Sequence, residues 1–184
     1  MSNKHVHETN PKRTVIVMVV FVAVIVIGLL SLKTPRLTYA LTPGQTLDLV
    51  LSGKGYVRPW QLVPVLNGTV DTVILIDIRN KFEYGKGHIK GAENISAYDL
   101  TNDENITRLK EFRKKGMAVV LYGNTQLEAN GPWMVFRQLG FDNVMLLLGG
   151  YRYYAAHKNN LIATKSDKSY LPGIADFNYA EIAK

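Results

Sequence analysis

Residues 14–32, TVIVMVVFVAVIVIGLLSL, carry no charged side chain. At about 1.5 Å per helical residue the run reaches roughly 28 Å, close to a hydrocarbon core of about 30 Å. Its many β-branched residues disfavour a helix in water, but in lipid every backbone N–H must be bonded within the segment, and that requirement makes the run helical. It is read as a transmembrane anchor behind an N-terminal flank of residues 1–13. A cleaved leader is the rival reading, because Thr38 and Ala40 stand at the spacing of a small-residue cleavage site. The run is longer than the about 7–15 residues of a leader's apolar region, and Lys33 and Arg36 intervene before that site. Positive charge is slightly greater before the span (Lys4, Lys12, Arg13 and the amine) than directly after it (Lys33 and Arg36). This bias predicts a single-pass protein with its N-terminus inside and its domain outside, the periplasmic side in a bacterium.

Beyond the anchor, residues 33–55 hold Pro35, Pro43, Gly44, Gly53 and Gly55 around the short apolar piece TLDLVL, and read as a tether with one short helix. Residues 56–158 contain three runs of the kind buried on both faces of a sheet: TVILIDI (72–78), AVVLYG (118–123) and VMLLLGG (144–150). The second is followed by the helical piece WMVFRQLG and the third by YRYYAAH, while ITRLKEFRKKG (106–116) sets Leu109 and Phe112 against five cations as a solvated helix. This alternation predicts an α/β domain, a parallel β-sheet with helices on both faces, whose sites lie at the carboxyl ends of the strands. Residues 159–184 form a tail with Tyr170, Leu171, Phe177 and Tyr179.

Composition closes off several chemistries. The chain has no cysteine, which removes disulfides, thiolate nucleophiles and zinc-thiolate or iron–sulfur sites. The net charge of +7 comes from dispersed cations rather than a basic arm or an aromatic-studded stripe, so no nucleic-acid partner is expected. His88 has no second histidine at a metal-ligand spacing, and neither a metal nor a cofactor is expected.

Three pieces in order resemble the rhodanese family: LIDIRNKFEYGKGHIKGAENI (75–95), VVLYG with the loop and helix ending at Leu139-Gly140-Phe141, and VMLLLGGYRYY. Together they cover about residues 56–158, and the resemblance implies a rhodanese-like fold. Asp77 and Arg79 project from the same side of a strand that is ending, and Arg79 with Glu83 forms an expected charge-assisted pair that pins the turn. Gly87, Gly91, Gly149 and Gly150 mark sharp turns beside the sheet, and His88 fills the family's Gly-His-Ile slot as a hydrogen-bonded packing residue.

In the family, the loop after the VVLY-type strand begins with the catalytic cysteine, whose thiolate sits among converging backbone amides. Here the loop reads Gly123, Asn124, Thr125, Gln126, Leu127, Glu128, Ala129. Gly123 lies 17 positions before Gly140, the family's usual spacing from cysteine to this glycine, so the resemblance puts a glycine at the nucleophile position. Many family members hold the anion with an arginine where this chain has Glu128; a carboxylate there repels an anion and can itself occupy the positive end of the helix. Pro132 favours a helix that starts near Asn130, with fewer amides in the cradle. Thr125 has no partner base, and a hydroxyl cannot hold a persulfide.

The resemblance with its departures therefore predicts a pseudoenzyme: a membrane-anchored, catalytically inactive rhodanese-like domain that binds or scaffolds a protein partner, or sits as an accessory subunit in a membrane assembly, with no small-molecule substrate. The alternative is a sulfurtransferase-like or hydrolase enzyme that uses the same cleft without cysteine, with Glu128, Asp77 or His88 as acid or base.

Overall fold

The computed structural model describes residues 11–31, 37–166 and 169–170. The flank up to Asn10, the last anchor residue Leu32, residues 33–36 of the tether, residues 167–168 and the tail beyond Tyr170, with Leu171, Phe177 and Tyr179, lie outside the described residues. The chain divides into two compact units, residues 1–38 and residues 39–184.

In the first unit, helix α1 (Pro11–Ser31) has no buried residue. Its mean hydropathy of 3.1 over 18 residues makes it long and apolar enough to cross a membrane. The Ser31 hydroxyl is satisfied within the helix, donating to the Ile27 carbonyl at 2.7 Å.

The second unit opens with α2 (Pro43–Ser52), which starts on a capping box. The Gln45 N–H donates to the Thr42 hydroxyl (3.3 Å), and the Gln45 side chain accepts from the Thr42 N–H (2.9 Å). The strands follow as β1 (Tyr56–Val57), β2 (Val73–Asp77), β3 (Glu93–Asn94), β4 (Ala118–Tyr122) and β5 (Val144–Leu147). They form one parallel sheet in the order β1-β5-β4-β2-β3, with the two longest strands adjacent near its middle. Parallel strands need crossovers, and these are α3 (Val63–Leu66) with the 3₁₀ turn before it, α4 (Lys81–Lys86), α5 (Asp103–Lys114) and α6 (Gln126–Gln138). Helix α7 (Gly150–His157) follows β5, and a 3₁₀ turn, Leu161–Lys165, packs back on Pro59–Leu62.

Burial explains why the three apolar runs become strands. Leu75, Val120, Tyr122 and Leu147 join Leu62, Ile89, Ala92, Tyr154 and Leu161 in one cluster. Their strand neighbours Ile76, Leu121 and Leu146 are also fully buried, and successive strand residues face opposite sides. Both faces are thus covered, as uninterrupted apolar runs require. On α6, Trp133 is buried with its indole N–H donating to the Val144 carbonyl at 3.2 Å, and Phe136 meets Phe141 edge-on at 5.5 Å.

The register sets the carboxyl edge of the sheet. Asp77 lies level with Tyr122 on one side and Asn94 on the other, and the Ile78 N–H donates to the Tyr122 carbonyl at 3.0 Å. Strands β2 and β4 therefore end at the same height, and the segments after them, from Ile78 and from Gly123, leave the sheet at that edge.

Among the boundaries that differ from the sequence expectation, two helix starts have a clear physical cause. Helix α5 starts at Asp103 rather than Ile106, because Asp103 and Glu104 supply the acidic first turn that the helix dipole favours. Helix α6 starts at Gln126, not near Asn130, so Pro132 lies inside it and removes the N–H that would bond the Glu128 carbonyl.

Replacing Trp133 with Ala deletes the largest fully buried side chain, and is expected to cost the full-length chain about 3–5 kcal/mol of unfolding free energy. Denaturant titration followed by tyrosine emission and circular dichroism measures this; an unchanged midpoint would contradict the packing.

Candidate active site

At the end of β2 a carboxylate and a guanidinium are taken out of water together. Asp77 is fully buried and Arg79 is 7% exposed. The Arg79 Nε–H donates to both Asp77 oxygens (2.9 and 3.1 Å), an Nη2–H donates to Asp77 Oδ2 (2.5 Å), and the Arg79 backbone N–H donates to Oδ1 (3.0 Å). Nη2 also donates to the Gly87 carbonyl at 2.7 Å, and the guanidinium lies 4.0 Å from the centre of the Tyr151 ring. Burial opposes the Arg79 charge, but the hydrogen bond and Coulomb attraction of Asp77 outweigh it and hold its pKa above the ordinary value. The expected Arg79–Glu83 pair is not made: a buried guanidinium takes the buried carboxylate two residues away, and Glu83 pairs with Lys86 at 2.8 Å.

Gly87 and Gly150 are needed where they stand. A Cβ on Gly87 would lie 2.4 Å from the Tyr151 hydroxyl, so the close approach over Arg79 requires its absence. Gly150 has φ +65°, and a Cβ there would fall 2.7 Å from the Thr125 carbonyl carbon. That proximity lets the first turn of α7 hold the loop after β4: the Tyr151 N–H donates to the Gly123 carbonyl and the Arg152 N–H to the Asn124 carbonyl, both at 2.9 Å. Held in this way, the loop passes directly into α6 from its N-cap Thr125.

Glu128 is the third residue of α6 and folds back over the loop. Its Oε2 accepts the Asn124 backbone N–H at 2.8 Å, a charge-assisted bond placed where the helix dipole favours a negative charge. The side chain also takes up the space beside Gly123. A Cβ on residue 123 would meet Glu128 Cβ at 2.7 Å and Oε2 at 2.9 Å, nearer than real Cβ contacts come. Glycine at 123 and glutamate at 128 therefore fit each other, and the cradle is occupied by the chain's own carboxylate.

Arg79, Asn80, Glu83, Asn124 and Glu128 line a cleft of about 270 Å³ at the carboxyl edge. Asn80 was missed in the sequence. Its side chain caps α4, accepting the Glu83 N–H at 2.9 Å, and the Asn-x-x-Glu pattern is its signal. Asn94 and Tyr151 were missed as supports: the Asn94 amide donates to the Asp77 and Arg79 carbonyls at 3.0 and 2.8 Å. His88 does not join the cleft lining. It is exposed, stacked on Tyr84 at 3.9 Å, with Nδ1 3.2 Å from the Tyr84 carbonyl. Asp77 lies beneath the cleft, committed to Arg79. Gly91 and Gly149 have positive φ at turns away from its lining. Gln126, Leu127 and Ala129 form the first turn of α6, with Ala129 buried and Leu127 79% exposed. Beneath the strand ends, burial pushes the Tyr122 phenol far above its ordinary range, and its oxygen accepts the Ile89 N–H at 3.2 Å.

A family model described as a rhodanese-like domain matches residues 65–157. A tRNA uridine(34) hydroxylase of Wigglesworthia glossinidia brevipalpis is 34% identical over 91 residues, 47% of this chain and 28% of that protein. A tRNA uridine(34) hydroxylase of Buchnera aphidicola subsp. Acyrthosiphon pisum (strain Tuc7) is 31% identical over 122 residues, 63% of this chain and 36% of that protein. The chain thus spans about a third of the length of these curated relatives. A crystal structure of a Bacillus halodurans protein superposes with a TM-score of 0.50 at 22% identity, covering 64% of this chain and 83% of that one, a likeness of fold.

The relatives correct the functional expectation. A catalytically inactive scaffold for a protein partner, a pseudoenzyme with neither a nucleic acid nor a small-molecule substrate, does not agree with relatives named for an enzymatic reaction on a tRNA uridine. The missing cysteine removes the chemistries of the thiol and leaves those of acids and bases. The cleft keeps carboxylates and amides, and dispersed cations do not exclude a nucleic-acid partner, since phosphate contacts need no contiguous stripe.

Gly123→Ala is expected to destabilise the protein by about 1–3 kcal/mol through overpacking against Glu128. The same change in a Glu128→Gly background is expected to cost at least about 0.5 kcal/mol less. A double-mutant cycle from denaturant midpoints checks this, and strictly additive costs would show that the two positions do not share the space.

Proposed function

Because this chain belongs to the rhodanese-like family, we propose that it is an enzyme of that fold which works without a sulfur nucleophile, with Glu128 as the acid-base group of its strand-end cleft. The observation that carries this reading is the Glu128 carboxylate seated on the Asn124 N–H at 2.8 Å, where it lines an open cleft rather than the core. A carboxylate in this place can accept a proton from a bound group or from a water molecule, and a positioned base contributes typically 10²–10⁴-fold to a rate.

The substrate group we propose is a uracil ring. Its imide edge offers an acceptor, a donor and a second acceptor. Asn80 and Asn124 bring amides, and Glu83 and Glu128 bring carboxylate acceptors, to one cleft of about 270 Å³. The relatives named for a tRNA uridine support that substrate class. An anionic group is a poor fit, because Glu83 and Glu128 repel it and the Arg79 charge is engaged by Asp77.

The domain is proposed to face outward. Lys4, Lys12 and Arg13 precede the apolar helix and Lys33 and Arg36 follow it, an excess that keeps the N-terminal side inside. A uracil group met there belongs to an extracytoplasmic nucleotide or RNA. The reverse orientation would place the cleft on the side of cytoplasmic tRNA, and protease access to the domain in intact cells distinguishes the two.

The activity test uses the full chain in detergent, incubated in air with uridine monophosphate and with a uridine-containing RNA, and recovers the nucleosides for mass spectrometry. A modified uridine is expected, with Glu128→Gln lowering the rate by about 10²–10⁴-fold. Unmodified uridine throughout, or equal turnover by the Glu128→Gln protein, would overturn the reading.

A further inference from the structure

Among the described residues, nothing covers an apolar stripe on helix α2. Leu47 is 57% and Leu51 75% exposed, and Tyr39, just upstream, is 75% exposed. With Gly44, the two leucines recur at i, i+3 and i+7, which places them on one face of the helix.

The helix cannot turn to hide that face. Its opposite side is packed on the domain at Thr46, which is 2% exposed, its hydroxyl satisfied within the helix by the Thr42 carbonyl at 3.0 Å. The approach to the helix is fastened too, since the Ala40 and Leu41 N–H groups donate to the Gln138 carbonyl at 2.6 and 3.2 Å. A capping box closes the helix start, and Gly53 in the left-handed conformation closes its end.

The place of this face in the chain indicates its cover. The apolar helix α1 ends at Ser31 and α2 begins at Pro43. Eleven residues, 32–42, join them in sequence, a connection whose fully extended length is about 40 Å. Lys33, Arg36 and Lys54 bracket the stripe in sequence and outnumber the one exposed acid of α2, Asp48; a short apolar face with an exposed tyrosine in a segment of net positive charge matches the boundary between headgroups and acyl chains.

We propose that the Gly44–Leu47–Leu51 face of α2 rests on the bilayer surface and holds the domain against the membrane. The inference depends on α1 spanning that membrane, and is independent of the reaction assigned to the cleft.

The absence of cysteine makes the test simple, because one introduced thiol is the only labelling site. Gly44→Cys adds a side chain where nothing lies within 4 Å. The full chain is reconstituted into phosphatidylcholine–phosphatidylglycerol vesicles containing nitroxide-bearing lipid and carries an environment-sensitive fluorophore at this thiol. Lys110→Cys on the exposed face of α5 and Val22→Cys within α1 serve as references.

The label at 44 is expected to be quenched at least about twofold more than that at 110. The excess is expected to disappear when Leu47→Ser and Leu51→Ser are added, changes at solvent-facing positions that leave the buried side of α2 intact. Quenching at 44 no greater than at 110, with the label at 22 quenched, would overturn the docking alone and leave the face to a protein or to water. Absence of quenching at 22 would overturn the span and the docking with it.

Discussion

A charge pair buried at the end of β2 sets the geometry of the strand-end edge. Taking Asp77 and Arg79 out of water costs several kcal/mol for each ion, and Coulomb attraction offsets that only when the remaining donors and acceptors are also used. Here both carboxylate oxygens, the backbone N–H, Nε–H and Nη2 of Arg79 and the Gly87 carbonyl are engaged. The pair thereby ties the turn before Ile89 to the strand it leaves. The Tyr151 ring over the guanidinium links it to α7, whose first N–H groups hold the loop from Gly123 to Thr125. A charge placed for its own satisfaction ends by positioning a backbone segment two strands away in sequence.

On that held loop, the exchange of one side chain for another changes the chemistry that the fold can support. A side chain at position 123 and the folded-back Glu128 compete for the same volume. With glycine at 123, the carboxylate approaches the Asn124 N–H and supplies the negative charge that the helix N-terminus favours. The cleft consequently presents carboxylates and amides where the family's nucleophilic loop presents a thiolate among N–H groups. On the proposed reading, such a surface would handle protons rather than sulfur, and would prefer neutral hydrogen-bonding groups to anions.

Much of the fold was legible because burial on both faces leaves an unmistakable mark. TVILIDI, AVVLYG and VMLLLGG became β2, β4 and β5 with ends shifted by one to three residues. Pairing among charges was less legible. Arg79 has Asp77 at two positions and Glu83 at four, and only burial decides between them. Pro132 misled for a similar reason: proline favours a first helical turn, but the contacts of α7 with the loop accompany a helix that begins four residues before Asn130, at Gln126. Glu128 at the positive end of the helix was readable from its position in the loop, whereas its contact with residue 123 needed the backbone. A missing cysteine does not make a missing activity, because one absent nucleophile says nothing about the acids and bases that remain.

The central claim is that the Glu128 carboxylate, rather than water or an external anion, occupies the amide cradle after β4. Amide hydrogen exchange at Asn124, measured by NMR on the full chain in detergent, tests it most directly. A charge-assisted bond contributes about 1.5–3 kcal/mol, so the Asn124 amide is expected to exchange at least about tenfold more slowly in the native protein than after Glu128→Ala. Equal exchange rates in the two proteins would contradict the account.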